Sequence, residues 1–488
     1  MNEQMNKRLA GLSLLVTGSE ASDPVHNFFE QHFGLPGNPF PPPGIADAAG
    51  ESPPLRPNDF DKLLNFVQRG YATGESQFMV VKGEYGSGKT QTLRFIEYVV
   101  NTYMNKGDQA ARAVYVERPR LGAQELNRTI LRTLGQDTIR KYVWFAIHRF
   151  LLEEIVHPSQ QLLDLKKNLT ANRLQQQRPR RQASLPQIGL WVEDDPAINV
   201  PFDAVFNPEV ILDYRTFLTS LESKGWSREH VRSYLVTLLL KAVSPQDSVS
   251  LAQTFVALLL APDDAAFASW ETLLGITNTR TTLPLRAPDF LQFLLRVMAL
   301  NGIVYVYMLI DEFEEVSQTA LLTARQRQDY IYTMREVLNS IQRGLSVVIG
   351  ISPAGLDALQ VDGVPFIDVS NEMISLPRVE VSDAIKLVQF YLDREREGTG
   401  HEMGDIYPLS RELIAYILNN FPRAAQRTPR NVVQFMHRLL NHAAENNVTA
   451  LTPGIAEPLL AEFGAMKSGG EQSTRARRSA RDATTTAG

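Results

Sequence analysis

Eight consecutive residues, Gly83-Glu84-Tyr85-Gly86-Ser87-Gly88-Lys89-Thr90, fit the spacing G-x-x-x-x-G-K-[ST]. Each residue type in that pattern has a task. Glycines admit backbone angles that turn successive N–H groups toward one anion. A helix that starts directly after them aims its positive end at the same charge. The ammonium of Lys89 can reach the β- and γ-phosphates of a nucleotide, and the hydroxyl of Thr90 can hold Mg²⁺. Gln91 completes the candidate cofactor contacts. The pattern implies ATP or ADP with magnesium as the ligand. Average composition would produce it by chance in a chain of this length at a rate of roughly 2%.

A second candidate lies at Met308-Leu309-Ile310-Asp311-Glu312, where an apolar run ends in two carboxylates. Charges at the end of a buried parallel strand stand at the carboxyl edge of the sheet, where open α/β sheets bind ligands. Asp311 would act on magnesium, mostly through water. Glu312 would orient and polarise an attacking water, so that the bound ATP is hydrolysed. The same ending also suits a buried strand that simply meets solvent. Glu314 and Glu315 read as a solvated start to the next segment.

The elements that must position these groups follow from periodicity. Gln77 to Lys82 (QFMVVK) is a short apolar run suited to a buried strand ahead of the loop, and QTLRFIEYVVNTYM after it has helical spacing. Before them, Asn58-Asp59 start a helix in which Phe60, Leu63, Leu64 and Val67 share one face. ARAVYVERP, IVYVYMLI and LSVVIGIS read as further strands, with a helix GAQELNRTILRTLG after the first and a long helix, Leu321 to Arg343, before the last. From Asp137 to Arg286 strand signals are few and helical stretches many. The segment FFEQHFGLPGNPFPPPGIADAAGESPPLRP is too rich in Pro and Gly for a long helix or an inner strand, so an extended, surface-wrapping arm is expected. Residues 466–488 are low in complexity and expected to be disordered.

Composition bounds the possibilities. A chain of 488 residues is too long for one compact core. Its 44% hydrophobic and 21% charged content is ordinary for a globular protein. The net charge of -5 does not announce a nucleic-acid binder. With no cysteine, disulfides, thiolate metal sites and a cysteine nucleophile are excluded. His148, His157 and His437 show no metal-ligand spacing. No apolar run approaches the roughly 18 residues of a membrane span, and a cytoplasmic protein without membrane contact is expected.

Taken in order, the loop, the Asp-Glu strand, a further strand ending in a polar residue and a helical C-terminal region resemble an AAA+ ATPase. The resemblance implies an α/β fold of P-loop NTPase type: a parallel sheet flanked by helices, with a large helical insertion and a helical C-terminal lid. On that pattern the chain divides into an extended, partly disordered arm (1–50), the first part of the core (51–136), the insertion (137–286), the second part of the core (287–376), the lid (377–465) and a disordered basic tail (466–488). Ser352, at the end of LSVVIGIS, matches the sensor-1 position that helps place the attacking water, although an ordinary strand end fits equally. In RTPRNVVQFMHRLLNHA, Arg430 matches the sensor-2 arginine at a helix start, with Thr428 as cap and Pro429 in the first turn. PLRPNDFDKLLNFV is similar to the adenine-pocket segment of origin-recognition-type initiators, with Arg56 in the matching place. FGLPGNPF resembles the arm of bacterial secretion-type and transposition-regulator ATPases. PDFLQFLLRVMALNG before MLIDEFEEV is similar to ATP-binding proteins of BREX-type defence islands.

The sequence also departs from the family. Lys89 and Asp311 stand farther apart than a minimal core requires. No arginine occurs between Pro353 and Pro377, where a trans-acting arginine finger belongs; Arg335, Arg343 and Arg378 are the alternatives. Only a short tail follows the lid. Two basic clusters, Lys166, Lys167, Arg173, Arg178, Arg180 and Arg181 in the insertion and Arg475, Arg477, Arg478 and Arg481 in the tail, suit phosphate backbones without base readout, or else a solvated loop and tail. Three roles stay open: a DNA-linked ATPase of defence, transposition or replication control; an ATP-dependent switch or scaffold that recruits a protein effector with little turnover; and a protein-remodelling or secretion-associated ATPase without DNA contact. Homo-oligomers and protein partners of a multi-component system are expected in each.

Overall fold

Runs rich in β-branched and aromatic residues form the strands β1 (Gln77–Gly83), β2 (Ala110–Val116), β3 (Ile303–Ile310) and β4 (Leu345–Ile351), and a short fifth, β5 (Met373–Leu376), follows them. The computed structural model describes residues 28–41, 57–106, 109–119, 123–177, 204–243, 249–261, 287–317, 323–361, 373–396, 405–421 and 427–464. The strands make one all-parallel sheet in the order β2-β3-β4-β1-β5, flanked by helices. β3 pairs in parallel with both neighbours, Val116 with Ile310 and Ile310 with Ile349, and its register with β2 shifts once, between Ala110 and Ala111. Every residue of β4 is buried, as a central parallel strand requires. β2 lies at an edge, where Asn101 both donates to the Ala113 carbonyl (3.4 Å) and accepts from its N–H (2.9 Å).

The chain divides into two compact units. One comprises Asp61–Val81 and Leu93–Ile374 and contains most of the sheet. Helix α1 (Pro57–Thr73) enters it at Asp61 and is held by two buried tyrosines of β3. Tyr307 donates to the Val67 carbonyl, and the Tyr305 hydroxyl lies so close to Gly70 that a Cβ there would meet it at 2.7 Å. Helix α2 (Lys89–Val99) follows β1, and α3 (Ala123–Leu134) follows β2.

The regular elements described in the segment expected as an insertion are all helices: α4 (Gln136–Val156), α5 (Gln160–Gln177), α6 (Tyr214–Ser223), α7 (Arg228–Val243) and α8 (Val249–Leu260), with a one-turn helix at Pro208–Ile211. These helices share one apolar core with the sheet: Val143, Ile147, Phe217 and Leu235 belong to the same buried cluster as Val114, Ile310 and Val347. Two polar groups pin them. Arg140 sets its guanidinium on the carbonyls of Leu258 and Ala261 (3.0 and 2.9 Å), satisfying the open end of α8. Glu154 is buried against Lys241 Nζ at 2.7 Å. The chain returns to the sheet through α9 (Ala287–Leu300), then α10 (Ala324–Ser340), whose Thr323 and Gln326 form a capping box, and α11 (Pro353–Val361).

The other unit comprises Met1–Phe60, Lys82–Thr92 and Ser375–Gly488. Its described helices are α12 (Val381–Arg396), α13 (Arg411–Asn419), α14 (Pro429–Glu445) and a last one over 453–464. The arm behaves differently from the surface-wrapping segment expected. Phe28, Phe29, Phe33, Leu35 and Phe40 are buried in the same cluster as Leu413, Phe435 and Leu439, and Phe29–Phe33 forms a π-helical turn. Five apolar side chains within thirteen residues outweigh the local Pro and Gly content, which limits helix length but not burial. Asn38 completes the dock by donating to the His437 carbonyl (2.9 Å) and to Asn441 Oδ1 (2.6 Å).

Candidate functional site

The phosphate-type loop runs from the end of β1 into α2, and its backbone has the expected irregularity. Gly86 and Gly88 have φ of 79° and 103°, a region costly for any residue with a Cβ. Gly83 is required for a different reason: a Cβ there would stand 2.1 Å from Ser87 Oγ. Lys89 begins α2 and is buried, its ammonium donating to the carbonyls of Gly83 (3.0 Å) and Glu84 (3.4 Å). Ser87 Oγ is also buried and has no hydrogen-bond partner among the described residues. Thr90 and Glu84 are exposed and Gln91 half-buried. Glycine-lined backbone, a buried ammonium, an unsatisfied hydroxyl and a helix N-terminus form a donor set that fits a polyphosphate, with the Thr90 hydroxyl available to its metal.

Arg430 reaches the same loop. Thr428 caps α14 by accepting from the Asn431 N–H, and Pro429 occupies the first turn, as its fixed φ allows. That start sets the Arg430 N–H on the Gly86 carbonyl (3.3 Å) and its guanidinium on the Tyr85 hydroxyl (2.8 Å), with Cζ 5.2 Å from the ring centre. A Cβ on Gly86 would meet Arg430 Cβ and Thr428 Oγ1, each at 3.1 Å. Tyr85 is 70% exposed, so a cation rather than a core holds it.

At the end of β3, in the other unit, Asp311 is buried and fully engaged. Its N–H donates to the Val116 carbonyl (2.9 Å), its Oδ1 accepts from the Glu312 N–H (2.9 Å), and its Oδ2 accepts from the Tyr115 hydroxyl (2.8 Å). Burial, reinforced by the Asp311 charge, pushes the Tyr115 phenol far above its ordinary range, so it stays a donor. Glu312 has φ of 50°, a left-handed conformation that costs a non-glycine residue about 1–2 kcal/mol. Ser352, after β4, accepts from the Gly355 N–H (3.1 Å) and so caps α11. Compared with models of known protein families and with the sequences of characterised proteins, the chain matches none of them.

The structure therefore joins Gly83, Glu84, Ser87 and Lys89 in one cluster, Tyr85, Gly86 and Arg430 in a second, and Asp311 and Glu312 in a third. Arg56, Arg178, Arg180, Arg181 and the tail arginines lie outside the described residues. Lys166 and Lys167 lie on α5, with Lys167 exposed. His437 bonds the Phe40 carbonyl through Nδ1 (2.7 Å), and no three His, Asp or Glu side chains gather to hold a metal ion among the described residues. No helix among them is long and apolar enough to cross a membrane.

Two partners went unread in the sequence. Tyr115 looked like one more apolar residue of a strand, although a buried phenol needs a partner for its hydroxyl. Arg94, from α2, lies over the Tyr115 ring with Cζ 3.5 Å from its centre. Both line a cavity of about 440 Å³ with Glu97, Glu117, Arg118 and Thr133.

Proposed function

We propose that this chain binds ATP with Mg²⁺ at Gly83–Thr90 and hydrolyses it as an ATPase of AAA+ type. The observation that carries the reading is the loop itself: a parallel strand, two glycines at positive φ, then a helix that begins at a buried lysine. Topology supports it. β1 lies between β4 and β5, and the chain reaches β2, β3 and β4 on one side before crossing to β5 on the other. Ligands of open parallel sheets bind at the carboxyl ends where strand order reverses in this way.

Magnesium, when bound with the triphosphate, would neutralise its charge and orient its oxygens. Loop N–H groups and Lys89 would hold the phosphates, with the Thr90 hydroxyl at the metal; on the AAA+ pattern Asp311 would act on the metal mostly through water and Glu312 would orient the attacking water. Arg430, already on the loop through Gly86 and Tyr85, would add a second cation. Ser352 retains one hydroxyl proton to donate while it caps α11.

Lys89→Ala should weaken ATP binding by at least about 100-fold, since a charge-assisted contact at a buried site is lost. Titration with a fluorescent ATP analogue measures this, and unchanged affinity would overturn the reading. For the partner, the DNA-linked role requires that the basic segments meet phosphate backbones, and turnover with and without duplex DNA at two salt concentrations tests it. Turnover and binding indifferent to DNA would leave the protein-directed roles.

A further inference from the structure

We propose that Tyr115 is a positioning residue for magnesium: its hydroxyl fixes the carboxylate plane of Asp311, and Arg94 fixes the Tyr115 ring. The inference rests on the ATPase reading and adds to it a residue that no motif marks.

Both oxygens of Asp311 carry one donor each, from Glu312 N–H and from Tyr115, so the carboxylate cannot rotate about its Cβ–Cγ bond without losing one of them. Asp311 is only 2% exposed, so a lost donor leaves one oxygen short of a fixed partner. Each oxygen keeps one lone pair for a metal-bound water. Tyr115 is itself constrained. It is 6% exposed, its carbonyl accepts from Thr133 (3.3 Å), and the Arg94 guanidinium covers its ring. Arg94 in turn pairs with Glu97 (2.6 Å), one turn along the same helix. That helix, α2, begins at Lys89. Arg94, Tyr115 and Asp311 therefore form one chain of contacts within a single unit. Loss of a group that orients a metal-facing carboxylate typically costs about 10–100-fold in affinity for the metal.

The test is Tyr115→Phe, which keeps the ring under Arg94 and removes only the hydroxyl. Affinity for a fluorescent ATP analogue is measured in EDTA and across a magnesium titration. Binding of Mn²⁺ to the nucleotide complex is followed by electron paramagnetic resonance. Affinity in EDTA should match the wild type, while half-saturating magnesium and the Mn²⁺ dissociation constant should each rise about tenfold. In an Asp311→Asn background the same change should do nothing further. Should Tyr115→Phe fail to fold, Arg94→Gln, which only loosens the ring, should raise half-saturating magnesium in the same direction. Equal losses with and without metal, an unchanged magnesium requirement, or additivity with Asp311→Asn would overturn the inference alone. A wild type that binds no ATP at any magnesium concentration would overturn the ATPase reading as well.

Discussion

Around Gly83–Thr90 the fixed points are backbone and apolar. Glycines remove side-chain bulk, Lys89 lies on carbonyl groups, the start of α14 rests on Gly86, and the arm and the C-terminal helices of the same unit share one core. At Asp311–Glu312 the fixed points are polar. Two donors hold one carboxylate, and one residue is kept at a left-handed φ. The first arrangement is vulnerable to added atoms and to lost apolar volume. The second is vulnerable to the loss of single oxygens and hydrogens. Substitutions in the two regions should therefore separate into effects on stability and effects on chemistry.

The largest expected effect is chemical. Glu312→Gln keeps shape and removes the charge that would polarise water, so turnover should fall about a thousandfold, or about 4 kcal/mol of barrier. ATP binding and unfolding midpoint should stay near the wild type. Single-turnover hydrolysis beside equilibrium binding measures both. A variant that also melted well below the wild type would show that Glu312 serves the fold, and the contrast between the regions would lapse.

Next comes an effect on stability. Phe33 is buried, edge-on to Phe28, Phe29 and Tyr407. Phe33→Ala should cost about 3–5 kcal/mol in denaturant unfolding. It should also make residues 28–41 the earliest site of proteolysis, since their main anchor is gone. Loss of less than about 1 kcal/mol would mean that the arm lies on the C-terminal helices without stabilising them.

How legible this was depended on whether the relevant contact was local. β1, β2, β3 and β4 were readable because seven or eight mostly apolar residues announce a buried strand. β5 was not: Met373–Leu376 has four residues and alternating burial, too short to rise above background. The loop and the Thr428-Pro429-Arg430 start were readable because helix capping and phosphate-type turns are written in adjacent residues. The burial of Phe29, Phe33 and Phe40 was not, because their partners Leu413 and Phe435 lie some hundreds of residues away and Pro and Gly gave the opposite local signal. Tyr115 was missed for the same reason, since its hydroxyl answers to a carboxylate separated from it by the whole helical segment.

The smallest effect tests whether the loop and α14 act as one. Thr428 is 4% exposed, accepts from the Asn431 N–H (3.3 Å), and sits where a Cβ on Gly86 would touch it. Thr428→Ala removes an N-cap and should cost about 1 kcal/mol of stability. If the cap also sets Arg430 on the loop, ATP affinity should fall by about fivefold, the same free energy expressed at the ligand. Thr428→Ser, which keeps the oxygen, should restore both. A stability loss with ATP affinity untouched would separate the helix start from the loop. Arg430 would then be a surface cation that meets Tyr85 without serving the nucleotide.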